Sequence, residues 1–136
     1  MTPLGERLRE LRRRKGVSQK EMAAELGVSA AYLSALEHGR RGVPTWALLQ
    51  KIIGYFNIIW DEAEEVLRLA QQSHPRIVID TSGLSPAATE LANRLAASIG
   101  ELDAETLGAM TGLLDGQARE RLAGNPNPNP PRRYDD

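Results

Sequence analysis

Residues 18–39 read SQKEMAAELGVSAAYLSALEHG, and the order of residue types in this stretch decides how the rest of the chain is understood. Ser18 followed three residues later by Glu21 is a capping box, in which the hydroxyl accepts from a first-turn amide and the carboxylate reaches back. Met22, Ala23 and Leu26 then fall on one face of a short helix, and Gly27 supplies the positive φ on which helices stop. Val28 is an apolar plug in the turn. Ser29 is a second N-cap, and Leu33 and Leu36 set the inner stripe of another short helix ending at His38-Gly39. Two short helices joined through a glycine turn form a helix-turn-helix unit. Small Ala23 stands where the two would cross.

On the N-terminal side, Thr2-Pro3 reads as N-cap and first-turn proline of a helix to about Lys15, with Leu4, Leu8 and Leu11 inward. On the other side, a basic, glycine-rich loop (His38 to Pro44) leads to Thr45, the cap of a fourth helix with Leu48, Leu49, Ile52, Ile53 and Phe56 inward. Asn57 is its stop. A fifth helix runs from about Trp60 to Gln72, its first turn enriched in Asp61, Glu62, Glu64 and Glu65, where the helix dipole favours anions. These carboxylates, and several arginines of the first helix, read as solvated faces.

This ungapped pattern resembles the Cro/repressor class of helix-turn-helix proteins, the Xre family. The matching residues are Leu11-Arg12, Gly16-Val17-Ser18-Gln19, Ala23, Leu26-Gly27-Val28-Ser29, Leu33, Leu36-Glu37 and Gly39, within roughly residues 3–72. The resemblance implies a second motif helix that enters the major groove of DNA. By position it places Gln19, Ser29, Ala30, Ala31 and Ser34 at the bases, with Ala35 deeper. It places Lys20, Tyr32, Arg40, Arg41 and Thr45 at the phosphates. It also implies a structural pair between Arg12 and Glu37. Alanine cannot hydrogen-bond a base and offers only contact with a thymine methyl, so readout rests on Gln19, Ser34, Ser29 or Tyr32 together with DNA shape.

Composition agrees with an all-α protein. Of 136 residues 41% are apolar, but only one is Phe, two Trp and three Tyr, so the core is Leu- and Ala-rich. Cysteine is absent, which excludes disulfides and thiolate metal sites. His38 and His74 are too far apart for a ligand pair, so neither metal nor cofactor is expected. No nucleophile–base arrangement or phosphate-cradling loop suggests an enzyme. No apolar run approaches the ~20 residues of a membrane span and no signal-peptide core opens the chain, so a soluble, cytoplasmic protein is expected. Net charge is only −1, yet Arg7, Arg9, Arg12, Arg13, Arg14, Lys15, Lys20, Arg40 and Arg41 crowd into the first 41 residues while residues 42–123 are net acidic. One end suits phosphate and the other suits protein.

The second half reads differently. Arg76-Ile77-Val78-Ile79-Asp80 alone has strand character, and its backbone groups need a partner. It is either an extended linker lying on helices or a strand paired with its copy in a second subunit. Ser85-Pro86 opens a helix extending to about Leu102, with Ala88, Leu91, Ala92, Leu95, Ile99 and Leu102 at helical spacing. Asp103 caps a last helix to about Leu122, with Leu107, Met110, Leu113 or Leu114, and Leu122 apolar. Its Gly108, Gly112 and Gly116 suggest either close backbone approach to another helix or a weakly formed helix. These stripes exceed what a two-helix hairpin can cover, so Ile77, Ile79, Leu91, Leu95, Ile99, Leu102, Leu107, Met110 and Leu114 are candidate dimerisation residues.

The expected organisation is a five-helix DNA-binding domain (1–73), a linker with a short extended segment (74–84), a helical dimerisation hairpin (85–123) and a disordered Pro/Asn tail (124–136). The expected function is a sequence-specific regulator, a dimeric repressor on palindromic double-stranded DNA, with no membrane partner. Two alternatives stand beside it: an antitoxin-like autorepressor that neutralises a protein partner, and an interaction module that no longer binds DNA.

Overall fold

The structure, a computed structural model, describes residues 1–124; the rest of the tail expected to be disordered lies outside the described residues. The chain forms two compact units, Met1–Val78 and the part from Ile79 onward. Among the described residues the secondary structure is entirely helical.

Unit one holds α1 (Pro3–Lys15), α2 (Gln19–Leu26), α3 (Ala30–Glu37), α4 (Trp46–Tyr55) and α5 (Asp61–Gln71). The caps read from the sequence set four of the five starts. Thr2, Ser18, Ser29 and Thr45 each accept a first-turn amide through the side-chain oxygen, satisfying a donor that has no partner inside the helix. The capping box has a variant form, with the Ser18 hydroxyl 3.2 Å from Glu21 Oε1. Gly16 and Gly27 stop α1 and α2 at φ of 71° and 74°. Asn57 adopts φ 52° just after α4, as its short polar side chain allows. Trp60, 81% exposed, opens α5 at φ 53° and ψ −122° without a side-chain cap.

α1 packs against α3 and α5, α2 against α3 and α4, and α4 against α5. The core they enclose contains Leu4, Leu8 and Leu11 of α1, Met22, Ala23 and Leu26 of α2, Leu33 and Leu36 of α3, and Leu49, Ile52 and Val66 beyond. Each such large side chain contributes about 1.5–3 kcal/mol by leaving water. Two polar residues are buried with them, Glu37 and Ser73. The Ser73 hydroxyl accepts from the Leu4 amide at 2.9 Å and donates to the Leu69 carbonyl, so it ties the entry of α1 to the end of α5. The α1 and α5 charges expected to be solvated are partly paired: Arg7 binds Glu65, and Arg14 lies 3.5 Å from Glu62. Lys15 donates to the Tyr55 carbonyl at 2.6 Å and stands over the Tyr55 ring.

Unit two contains α6 (Pro86–Ser98), a 3-10 turn (Ile99–Glu101) and α7 (Ala104–Gly124). Ser85 caps α6, and Asp103 accepts from the Thr106 amide at 2.7 Å to cap α7. The Thr106 hydroxyl, and after it that amide, hold the Asp103 carboxyl below its ordinary range. α6 stops at Ser98, short of the expected Leu102. The turn tightens to i→i+3 bonding before Gly100, and Leu102 is extended to deliver Asp103 to its capping position. No residue of α6 is buried. Leu91, Ile99, Leu107, Leu113 and Leu114 are exposed, and Met110 is half-buried. An open groove of about 330 Å³ is lined by Leu91, Leu95, Leu102 and Met110 together with Glu90 and Arg94. A Cβ placed on Gly108, Gly112 or Gly116 would meet no atom within 4 Å, so the close approach expected of these glycines is not made within the described chain. The linker residues 77–80 are neither helix nor strand, with Ile77, Val78 and Ile79 all exposed, so they do not lie buried on helices.

Candidate nucleic-acid interface

The site begins with a carboxylate at the end of α3. Glu37 is fully buried, where an unpaired charge would cost several kcal/mol. Arg12 of α1 compensates it with a forked contact, Nε to Oε1 at 2.9 Å and Nη2 to Oε2 at 3.3 Å. The same guanidinium donates to the Val17 carbonyl at 3.4 Å. Gln19, the first residue of α2, donates its side-chain amide to Glu37 Oε2 at 2.6 Å. One buried carboxylate thus joins α1, α2 and α3, and among the described residues no buried side-chain polar atom lacks a partner.

Gly5 makes this arrangement possible. A Cβ there would lie 2.4 Å from the Glu37 carbonyl oxygen and 2.9 Å from that of Leu36, so α1 meets the end of α3 backbone against backbone. Sequence pattern does not single out Gly5, whose only signal is a glycine inside a helix at a cost of about 1 kcal/mol relative to alanine.

The opposite face of α3 is open. Ser29, Ala30 and Ala31 are exposed at its N-terminal end, while Tyr32, Ser34 and Ala35 are half-buried. The Ser29 oxygen accepts from the Tyr32 amide at 3.0 Å, which leaves its hydroxyl hydrogen free to donate outward. The Ser34 carbonyl is occupied by His38 Nδ1 at 2.7 Å. Gln19 is half-buried and anchored to Glu37 rather than standing free at the surface.

The segments before and after α3 carry exposed cations. Lys20 extends from α2, and Arg40 and Arg41 follow α3, with the Arg41 guanidinium 6.0 Å from the Tyr32 ring. Thr45 is exposed at the start of α4, its hydroxyl oxygen engaged with the Leu48 amide, and Trp46 beside it is 65% exposed. Gly39 packs on the start of α1: a Cβ there would lie 2.8 Å from Thr2 Cγ2. Arg9 reaches back to the sulfur of Met1 at that edge. Of the α1 arginines, Arg7, Arg12 and Arg14 each meet a carboxylate, whereas Arg9 and Arg13 have none within 4 Å among the described residues. The sequence includes these two in the basic end without singling them out, because that requires knowing which flank of α1 faces α5.

The remaining candidates, Ile77, Ile79, Leu91, Leu95, Ile99, Leu102, Leu107, Met110 and Leu114, lie on the linker and unit two as described above. Among the described residues no group of three or more His, Asp or Glu is placed to hold a metal ion, and no helix is long and apolar enough to cross a membrane.

Residues 3–58 match the family described as "Helix-turn-helix domain". Three relatives from Bacillus subtilis (strain 168) are similar to part of the chain. YazB, an uncharacterised HTH-type transcriptional regulator, is 38% identical over 58 residues, 43% of this chain and 83% of YazB. The HTH-type transcriptional repressor RghR is 42% identical over 52 residues, 38% of each chain. RghRB, another uncharacterised HTH-type transcriptional regulator, is 34% identical over 61 residues, 45% of this chain and 44% of its own. The chain therefore covers less than half the length of RghRB and RghR, and the family match at residues 3–58 falls within unit one.

Proposed function

The chain belongs to the helix-turn-helix transcriptional regulators of the Xre/Cro type, and from that premise we propose that it is a sequence-specific repressor that binds a palindromic site on double-stranded DNA as a homodimer. The observation that carries this reading is the two-sidedness of α3. Its inner face is held by the Arg12–Glu37–Gln19 cluster, while its N-terminal end is exposed and the Arg41 guanidinium lies 6.0 Å from the Tyr32 ring on it. A rigid helix with an open N-terminal end is what entry into a major groove requires.

In this reading residues 1–73 bind DNA, residues 85–123 dimerise, and residues 74–84 join them. Ser29 and Ser34 hydrogen-bond base edges, Ala30 and Ala31 pack on thymine methyls, and Gln19 presents what its anchored amide leaves free. Lys20, Arg40 and Arg41 contact phosphates, with Tyr32 and the Thr45 end of α4 beside them, and Arg9 and Arg13 extend the basic surface. With two alanines at the reading edge, DNA shape carries part of the specificity. The exposed stripes of α6 and α7 supply the dimer contacts, which bring two α3 helices to successive major grooves about 34 Å apart.

Binding measured against salt on a selected operator and on random DNA tests this. Replacing Arg40 and Arg41 together by alanine should weaken both and flatten the log K against log salt slope by roughly one to two units. Ser34→Ala should instead reduce the preference for the operator, by about 1–3 kcal/mol. Failure of the intact chain to prefer any duplex over random sequence would overturn the reading.

A second reading, an antitoxin-like regulator whose second half binds a different protein, draws on the same uncovered stripes of unit two. Under it, the purified chain stays monomeric until that protein is added.

A further inference from the structure

The linker between the two units has a property that its exposure alone does not convey. Residues 76–80 read Arg-Ile-Val-Ile-Asp, a sequence complementary to itself when reversed. Val78 is 90% exposed, Ile77 and Ile79 are also exposed, and Arg76 meets no carboxylate within 4 Å among the described residues. Three consecutive β-branched residues left in water fit a pleated surface better than a free loop. Both ends of the segment are defined. Pro75 precedes it and has no amide to give a ladder. After it, the Asp80 carboxylate accepts from the Ser82 amide at 2.9 Å, and the Leu84 amide returns to the Thr81 carbonyl at 3.0 Å, with Gly83 at φ 79°. The chain turns there, so only these five residues are available for pairing.

We propose that residues 76–80 of two copies of the chain pair as antiparallel strands about a two-fold axis through Val78, setting Arg76 of each copy opposite Asp80 of the other. Antiparallel pairing of identical strands is isologous, so each residue opposes the one at the mirrored position. Val78 meets the partner's Val78. Arg76 meets the partner's Asp80, and Asp80 meets the partner's Arg76. Because side chains alternate, these three share one face, while Ile77 and Ile79 lie on the other opposite the partner's Ile79 and the partner's Ile77. One face is a valine pair flanked by two ion pairs, and the other is a patch of four isoleucines. Any other register sets a charge against an isoleucine or leaves it beyond the end of the pair, so charge selects the register. The second copy is the occupant because both the charge order and the apolar pattern are self-complementary. An isolated two-stranded ribbon is marginal in water, so this pairing rests on the dimer proposed above, in which α6 and α7 carry the main contact.

The test uses the full chain and two substitutions. Arg76→Glu sets like charges at both ends of the homodimer, and so does Asp80→Arg. Each should raise the dissociation constant by about tenfold in sedimentation equilibrium, since opposed like charges destabilise what unlike ones stabilise. An equimolar mixture of the two substituted chains restores both ion pairs, and it should form a heterodimer with a dissociation constant within about threefold of the unsubstituted chain. Oxidation supplies an independent reading, because the chain has no cysteine of its own. Val78→Cys should cross-link to its own copy. Ile77→Cys should cross-link poorly to itself and well to Ile79→Cys, because directly opposite Cβ atoms lie about 4.5–5.5 Å apart, and those at mismatched positions farther. A dimer that persists while neither substitution weakens it, or in which Ile77→Cys cross-links to itself as fast as Val78→Cys, overturns the pairing and leaves the dimer standing. A monomeric unsubstituted chain overturns both.

Discussion

Leu8 and Leu113 are the same residue type on two helices of one chain, yet the first is fully buried and the second is 76% exposed. The contrast holds across the two units. α1–α5 surround a continuous core in which Leu4, Met22, Leu33 and Ile52 are almost completely withdrawn from water, whereas α6 buries nothing. Apolar content does not explain the difference, because α6 and α7 carry leucines at comparable spacing. Layer count does: five helices can cover each other's stripes, and two leave theirs facing solvent. Unit one folds around its own core; in the dimer proposed above, a second copy would complete one for unit two.

The largest effect that separates the units comes from Arg12→Ala. It strands the buried Glu37 carboxylate with only Gln19 as partner, and should cost unit one about 3–5 kcal/mol in denaturant unfolding. The helicity contributed by α6 and α7 should survive it. A variant that melts like the parent while losing only DNA affinity would reverse the role assigned to Arg12.

A matched pair of leucine truncations comes next. Leu8→Ala should destabilise unit one by about 2–5 kcal/mol, because the site is closed on all sides. Leu91→Ala should leave that transition unmoved and raise the dimer dissociation constant instead. Equal destabilisation by both, with no change in association, would mean that α6 packs on its own chain.

How much of this was legible in the sequence depends on range. Ser18, Ser29, Thr45, Ser85 and Asp103 act within four residues of themselves, and each caps the helix expected of it. Gly16 and Gly27 likewise mark the ends of α1 and α2. The Arg12–Glu37 contact, 25 residues apart, came from family resemblance and not from spacing. Contacts without such a guide were missed. Ser73 under Leu4, Glu65 on Arg7 and Gly5 against the Glu37 carbonyl depend on how α1 is rotated between α3 and α5, which no local pattern encodes. At the candidate interface, the exposure of Ser29 and Ala30 followed from the apolar stripe behind them. The anchoring of Gln19, and the lack of a carboxylate beside Arg9 and Arg13 among the described residues, did not.

The smallest predicted effect is a pH dependence confined to unit two. The Asp103 carboxyl is held below its ordinary range by the Thr106 hydroxyl and amide. Its capping contribution is therefore fully present above the unfolded carboxylate value, about 3.9, and is lost as pH falls through the lowered folded value. Acid titration followed by circular dichroism should show α7 helicity declining only in that window, and Asp103→Ala should remove the step. A decline already complete at neutral pH would place the cap elsewhere.

The contrast between the units is tested most directly by amide hydrogen exchange on the full chain, followed across the concentration range in which sedimentation shows it dissociating. α1–α5 should keep the same protection throughout, because their core is their own. α6 and α7 should gain protection as the dimer fills and lose it on dilution. Protection of α6 and α7 that is strong in the dilute monomer, or that stays weak at saturating concentration, would contradict the account.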